Sequence, residues 1–162
     1  MRDGSLPKHA RDPAGPATGR RDTVTPPMGT VYAIANQKGG VGKTTTAVNV
    51  AACIAEAGYE TLLVDIDPQA NATVGLGRPR DSHPNVYDVL TGRASAEEAL
   101  CSTSVEGLSL LPSHPDLAGA SVELPREPGS ERRLRDALHA VLAQLQFGQV
   151  LLASIGSTAP FI

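Results

Sequence analysis

The stretch NQKGGVGKTT at residues 36–45 constrains the fold of this chain more than any other feature. A short β-rich run, TVYAIAN at 30–36, leads straight into it. The residues that follow, 43–58, carry small apolar side chains at helical spacing, which lets a helix pack close to a sheet. Strand, glycine-rich loop and helix in this order present unpaired helix N–H groups at the end of a curled backbone, and that arrangement predicts a phosphate-binding loop.

The predicted nucleotide-contacting residues form one continuous run along the loop: Gly39, Gly40, Val41, Gly42, Lys43, Thr44 and Thr45. The glycines allow the backbone to turn its N–H groups towards phosphates. Lys43 would reach the β- and γ-phosphates, and the Thr44 hydroxyl would ligate Mg²⁺. The strict P-loop pattern fails at Gln37, where it requires glycine. The alternative is an incidental Gly/Lys cluster in a surface turn, which the position between a strand and a small-residue helix disfavours.

The predicted fold class is α/β, a P-loop NTPase-like parallel sheet flanked by helices. The run TLLVDID at 61–67 is apolar without alternation, as expected of a parallel strand buried on both faces. Further along, the pattern predicts a long loop with a short helical turn at 68–85, helices at 86–92, 95–102, 116–124 and 130–146, and strands at 108–112 and 149–154.

Composition sets the domain limits and the compartment. Residues 1–28 are rich in proline and glycine and lack apolar periodicity, so they are predicted to be a disordered tail, with the domain at 29–162. Cys53 and Cys101 lack metal-ligand spacing and are interpreted as thiols of a reducing compartment. No apolar run approaches the roughly 18–20 residues of a membrane span, and the N-terminus lacks a signal-like apolar stretch. We therefore expect a cytoplasmic protein that does not contact membranes.

Two carboxylates end the second predicted strand. Asp65 and Asp67 lie at the carboxyl end of a parallel strand next to the loop, where open α/β sheets place their ligands. Their spacing of two residues is expected to turn both side chains to the same side. The alternative role, as caps of the strand end, stays open for both residues.

The loop K-G-G-V-G-K-T-T resembles the deviant Walker A motif of the ParA/MinD superfamily, whose members carry a second, signature lysine. The segment LLVDIDPQANAT at 62–73 is similar to the Walker A′ segment of ParA/Soj-type chromosome and plasmid partition ATPases. LLPSHPDLAGASVEL and ERRLRDAL look like the same family. The resemblance runs from about residue 30 to residue 147.

The resemblance implies an ATPase that binds ATP and Mg²⁺ and dimerises on ATP. Lys38 would be the signature lysine that reaches the phosphates of the partner protomer, with a solvated loop charge as the alternative. Asp67 would orient or activate the attacking water, and Asp65 would support the Mg²⁺ shell. The implied partners are a second copy, a ParB-like activator and non-specific DNA, with a nucleoid-associated location in the family.

The C-terminal part departs from the family. Partition ATPases follow the long helix with an apolar strand that ends in D-x-P-P, whereas this chain reads LQFGQVLLASIGSTAPFI and has no aspartate after Asp136. We therefore expect an incomplete C-terminal half that lacks the DNA-contacting surface, as in a truncated or frameshifted product, a fragment or a short variant. Two functions stay open: a partition ATPase of chromosome or plasmid, and a truncated, non-hydrolysing nucleotide-binding remnant.

Overall fold

A computed structural model describes residues 30–36, 38–123, 129–144 and 151–155. Strands and helices alternate along most of the described chain. In order, the elements are β1 (Val31–Ala35), α1 (Lys43–Glu56), β2 (Thr61–Asp65), α2 (Asn71–Gly75), α3 (Val86–Leu90), α4 (Ala96–Ala99), β3 (Cys101–Ser102), β4 (Leu108–Leu111), α5 (Leu117–Glu123), α6 (Ser130–Gln144) and β5 (Leu151–Ile155).

The strands form one sheet in the spatial order β1-β5-β2-β4-β3. In this spatial order, β1, β5, β2 and β4 are parallel to one another, and the edge strand β3 pairs antiparallel with β4. The last strand of the described residues, β5, lies between β1 and β2, so the two strands that flank α1 in sequence are not neighbours. This order leaves the carboxyl ends of β1 and β2 at the same edge of the sheet, where the loops that follow them can meet.

Helices cover both faces of the sheet. The central strand β2 is therefore buried along its whole length. On one face, Ala47, Ala51 and Ala55 of α1 pack with Leu63 and with Leu110 of β4. Their small side chains let the helix approach the strands closely, which places the N-terminus of α1 directly beside the sheet edge. On the other face, Leu62 and Val64 pack with residues of α3 and α6.

The predicted fold class is confirmed, with one correction to the sheet. The predicted helix at 95–102 is wrong in its second half, since α4 ends at Ala99 and the next two residues form β3. The chain turns extended at Leu100, with φ −68° and ψ 139°. Cys101 and Ser102 then pair with Leu110 and Ser109, which makes the sheet mixed rather than wholly parallel.

The other predicted elements occur with small shifts of their ends. The short helical turn predicted within the long loop is α2. The predicted disordered tail at 1–28 lies outside the described residues, as do the last residues of the helix predicted at 130–146 and the first two of the strand predicted at 149–154. None of the helices that the structure describes is long and apolar enough to span a bilayer.

Candidate functional site

The glycine loop after β1 and the segment after β2 border one cavity at the carboxyl edge of the sheet. Its volume is about 660 Å³. The residues that line it come from the loop and the first turn of α1, from the turn that follows β2, and from α5: Gly39, Gly40, Val41, Gly42, Lys43, Thr44, Thr45, Asp67, Pro68, Gln69, Asn71 and Ala118. All seven residues predicted to contact nucleotide therefore lie along this cavity.

The start of α1 supplies the hydrogen-bond donors of the cavity. Gly42 is the N-cap and has left-handed backbone angles, φ 82° and ψ 17°, with no side chain capping the helix. The first backbone bond of the helix runs from the amide of Thr46 to the carbonyl of Gly42, at 2.8 Å. The amides of Lys43, Thr44 and Thr45 therefore have no acceptor within the helix, and the positive end of the helix dipole lies with them. Such an end favours an anion.

The two lysines of the loop lie in different places. Lys43 lines the cavity, and its ammonium donates to the main-chain oxygen of Lys38 at 3.1 Å. Lys38 is exposed, and it does not belong to the residues that line the cavity. Its own amide donates to the Asn36 side chain at 3.0 Å, which helps to hold the start of the loop. The structure thus gives the cavity one lysine and leaves the second on the surface.

Asp67 reaches the cavity because it lies just past the end of β2. Its carboxylate accepts a hydrogen bond from the amide of Gln69 at 3.0 Å, so the chain turns immediately after it. Ala70, in that turn, has left-handed backbone angles, φ 52° and ψ 35°. This turn, rather than the alternation of the strand, orients Asp67, Pro68 and Gln69 to the cavity.

Asp65, the last residue of β2, differs from Asp67 in its environment. Its side chain is fully buried and does not line the cavity. The carboxylate accepts hydrogen bonds from the amide and the hydroxyl of Thr73, at 2.8 and 2.7 Å. Burial raises the pKa of Asp65, and these hydrogen bonds counteract part of that rise. The contribution of Asp65 to a Mg²⁺ shell stays a prediction, and the occupied carboxylate favours a structural role.

Sequence reasoning missed part of the cavity wall. Gln69 and Asn71 could have been found, because they follow a buried strand that ends in carboxylates beside the loop. Ala118 could not, since it comes from α5, and only the tertiary structure brings it to the cavity. Within the described ranges, no group of three or more His, Cys, Asp or Glu side chains is arranged to hold a metal ion.

Several curated proteins that are similar to this chain are named as chromosome-partitioning proteins. The chain is 51% identical over 115 residues to the sporulation initiation inhibitor protein Soj of Bacillus subtilis, a match that covers 70% of this chain and 46% of Soj. It is 46% identical over 123 residues to the chromosome partitioning protein ParA of Caulobacter vibrioides, with 75% of this chain and 46% of that protein covered. The chain thus spans about half the length of the curated relatives it matches.

A solved structure is similar to this chain in fold. The structure of cobyrinic acid a,c-diamide synthase from Mycobacterium smegmatis, with bound ADP and magnesium, superposes with a TM-score of 0.74 at 40% sequence identity. The match covers 80% of this chain and 52% of that one. This chain is therefore similar in fold to part of a protein that was crystallised with a nucleotide and magnesium.

The family assignment rests on most of the described domain. The sequence model of the family described as "AAA domain" matches residues 29–153, which include the glycine loop, β2 with the turn after it, and the first three residues of β5. This chain therefore belongs to the AAA-domain family and, within it, to the ParA/Soj type.

Proposed function

We propose that this chain binds ATP with Mg²⁺ in the cavity beside α1, as the nucleotide-binding part of a partition ATPase that serves chromosome or plasmid segregation. One observation carries the proposal. The continuous run from Gly39 to Thr45 forms one wall of the cavity, and Asp67 lines the same cavity. An anion-binding helix end with a lysine and a facing acid is what phosphate binding with a metal ion requires.

The residues present fit a nucleoside triphosphate. A Cβ atom added at Gly39, Gly40 or Gly42 would meet nothing within 4 Å, so the loop leaves open space where phosphates would lie. The free amides of the first turn of α1 would hold the phosphate oxygens, and Lys43 would exchange its bond to a carbonyl for one to phosphate. The Thr44 hydroxyl would hold Mg²⁺, which neutralises phosphate charge when bound.

Lys38 and Asp67 are proposed for hydrolysis. Lys38 is exposed and does not line the cavity of its own protomer. This position suits a cation that acts on the phosphates of a second protomer. Asp67 would hold the water that attacks the γ-phosphate. An ATP-dependent homodimer, a ParB-like activator and non-specific DNA are the partners that this role requires, in a cytoplasmic, nucleoid-associated setting.

A second candidate, nucleotide binding without hydrolysis, is supported by the sequence of β5. This strand lies in the middle of the sheet, next to β1 and β2, and carries no carboxylate among Leu151–Ile155. A carboxylate at this edge would complete the Mg²⁺ coordination that hydrolysis needs. Steady-state phosphate release with DNA and a ParB-like partner present separates the two functions. Stimulated turnover that Lys38→Ala and Asp67→Ala both remove would show hydrolysis by this chain.

Calorimetry of Mg²⁺–ATP binding tests the shared part of both candidates. Lys43→Ala should weaken binding about 10- to 100-fold, because a charge-assisted hydrogen bond is worth about 1.5–3 kcal/mol. Lys38→Ala is the matched control and should leave binding to the isolated protomer within about twofold, as Lys38 does not line the cavity. Equal affinity for the wild type and Lys43→Ala would refute the nucleotide assignment.

A further inference from the structure

A buried polar network lies under the turn that carries Asp67. Asp65, Thr73 and Ser113 are all fully buried, and they come from the end of β2, from α2 and from the connection between β4 and α5. The amide and hydroxyl of Thr73 both donate to one oxygen of the Asp65 carboxylate. Since buried polar groups cost free energy unless they are paired, each of these bonds holds its partners in place.

The network closes into a ring around the main chain of Asp67. The amide of Asp67 donates to the other Asp65 oxygen at 3.2 Å. The carbonyl of Asp67 accepts from the Ser113 hydroxyl at 2.6 Å. The amide of Ser113 donates to the Thr73 hydroxyl oxygen at 2.9 Å, which returns the ring to Asp65. Because that hydroxyl donates its single proton to Asp65, its oxygen can accept from the Ser113 amide, and each bond of the ring therefore has one donor and one acceptor.

The ring acts on a turn that contains a residue in an unfavourable backbone conformation. Ala70, a non-glycine residue, has φ 52°, a left-handed conformation that costs about 1 kcal/mol or more. Such a conformation persists where the surrounding structure determines it. The Asp67 carbonyl also accepts from the amide of Ala70 at 2.8 Å, so the ring and the strained turn share one acceptor. Fixing Asp67 therefore fixes the turn.

We infer that Asp65 is a positioning residue, which acts with Thr73 and Ser113 to hold the main chain of Asp67 at the wall of the nucleotide cavity. Ser113 precedes α5, whose Ala118 lines the same cavity, so the ring also ties that wall to the Asp67 turn. The consequence for Mg²⁺–ATP rests on the proposed function, whereas the positioning of Asp67 can be measured without nucleotide.

Amide hydrogen exchange of the nucleotide-free full chain, measured by NMR, tests the ring. Thr73→Val removes the hydroxyl and should speed exchange of the Asp67 amide at least about tenfold, the effect of losing a hydrogen bond to a charged group. Thr73→Ser keeps the hydroxyl and should restore a rate within about twofold of wild type. Ser113→Ala removes only the bond to the Asp67 carbonyl and should speed exchange about threefold to tenfold. Ser82→Ala, which removes a hydroxyl–carbonyl bond elsewhere, is the control and should change nothing.

Two results would overturn the inference. One is an Asp67 rate that is the same in Thr73→Val and Thr73→Ser. The other is an equal rise at the Leu63 amide in the middle of β2, since that would show a general loss of stability. Calorimetry on the same variants then measures the consequence: Thr73→Val should bind Mg²⁺–ATP about tenfold more weakly, and Thr73→Ser should not. A wild type that binds no nucleotide would refute the proposed function and leave the exchange result to decide the ring.

Discussion

Replacing Gly42 by alanine should lower the free energy of unfolding, whereas the same replacement at Gly39 should not. Gly42 has φ 82°, and an L-residue with left-handed angles costs about 1–2 kcal/mol. Gly39 does not have a positive φ, so an alanine at this position has no such cost. An added Cβ would have no atom within 4 Å at either position, which excludes a steric clash as the cause of any difference.

The net magnitudes follow from the unfolded state. Alanine restricts the unfolded chain more than glycine and stabilises a compatible site by about 0.4–1 kcal/mol. At Gly42 this gain offsets part of the strain and leaves a loss of up to about 1.6 kcal/mol. At Gly39 it stands alone and gives a gain of about 0.4–1 kcal/mol. The two variants should therefore differ by about 1–2 kcal/mol, with opposite signs relative to wild type.

Urea unfolding followed by circular dichroism measures both variants, and an unchanged slope with a shifted midpoint identifies a change in stability. Because Gly39 lines the cavity, Gly39→Ala should also weaken Mg²⁺–ATP binding without destabilising the fold. Equal midpoints for the two variants, or a lower midpoint for Gly39→Ala, would refute the loop conformation on which this reasoning depends.

Three further predictions concern the rest of the chain. Cys53 should react with a thiol reagent faster than Cys101 at neutral pH. Cys53 is exposed, whereas burial raises the pKa of Cys101 and reduces its thiolate fraction. Similar reaction rates of the two cysteines from pH 7 to 9 would contradict this. Leu110→Ala should lower the free energy of unfolding by about 2–5 kcal/mol in urea titrations, since the side chain is fully buried, whereas Val74→Ala at a half-exposed site should cost far less. Deleting residues 1–28, which lack an apolar period, should leave the thermal midpoint and the nucleotide affinity unchanged, and a midpoint lower by several degrees would show that they pack on the domain.

Local features could be predicted from the sequence because their causes are local. The small-residue stripe and the glycines define α1 and its N-terminus within about twenty residues, and the run from Gly39 to Thr45 that they predict lies along one cavity. The unbroken apolar run of β2 predicted a strand buried on both faces, and β2 is buried throughout. The two-residue β3 was missed because it has no pattern of its own: its pairing partners, Ser109 and Leu110, lie seven and nine residues away, across a turn.

Spacing along the chain could not decide what the two aspartates do. Asp67 lies beyond the end of β2, so a turn and not strand alternation sets its direction, and only Asp67 reaches the cavity. Asp65 is instead committed to Thr73, whose hydroxyl accepts from Ser113, 40 residues further along the chain.

The sequence by itself determined the glycine loop, the helix that follows it and the class of the fold, because backbone conformation and apolar period act over a few residues. Only the tertiary structure decided that β5 lies between β1 and β2, that Ala118 joins the cavity, and that Ser113 holds the Asp67 carbonyl. These contacts join segments far apart in sequence. They form because packing of the helices on the two faces of the sheet brings the segments together. A local sequence pattern does not predict such long-range contacts.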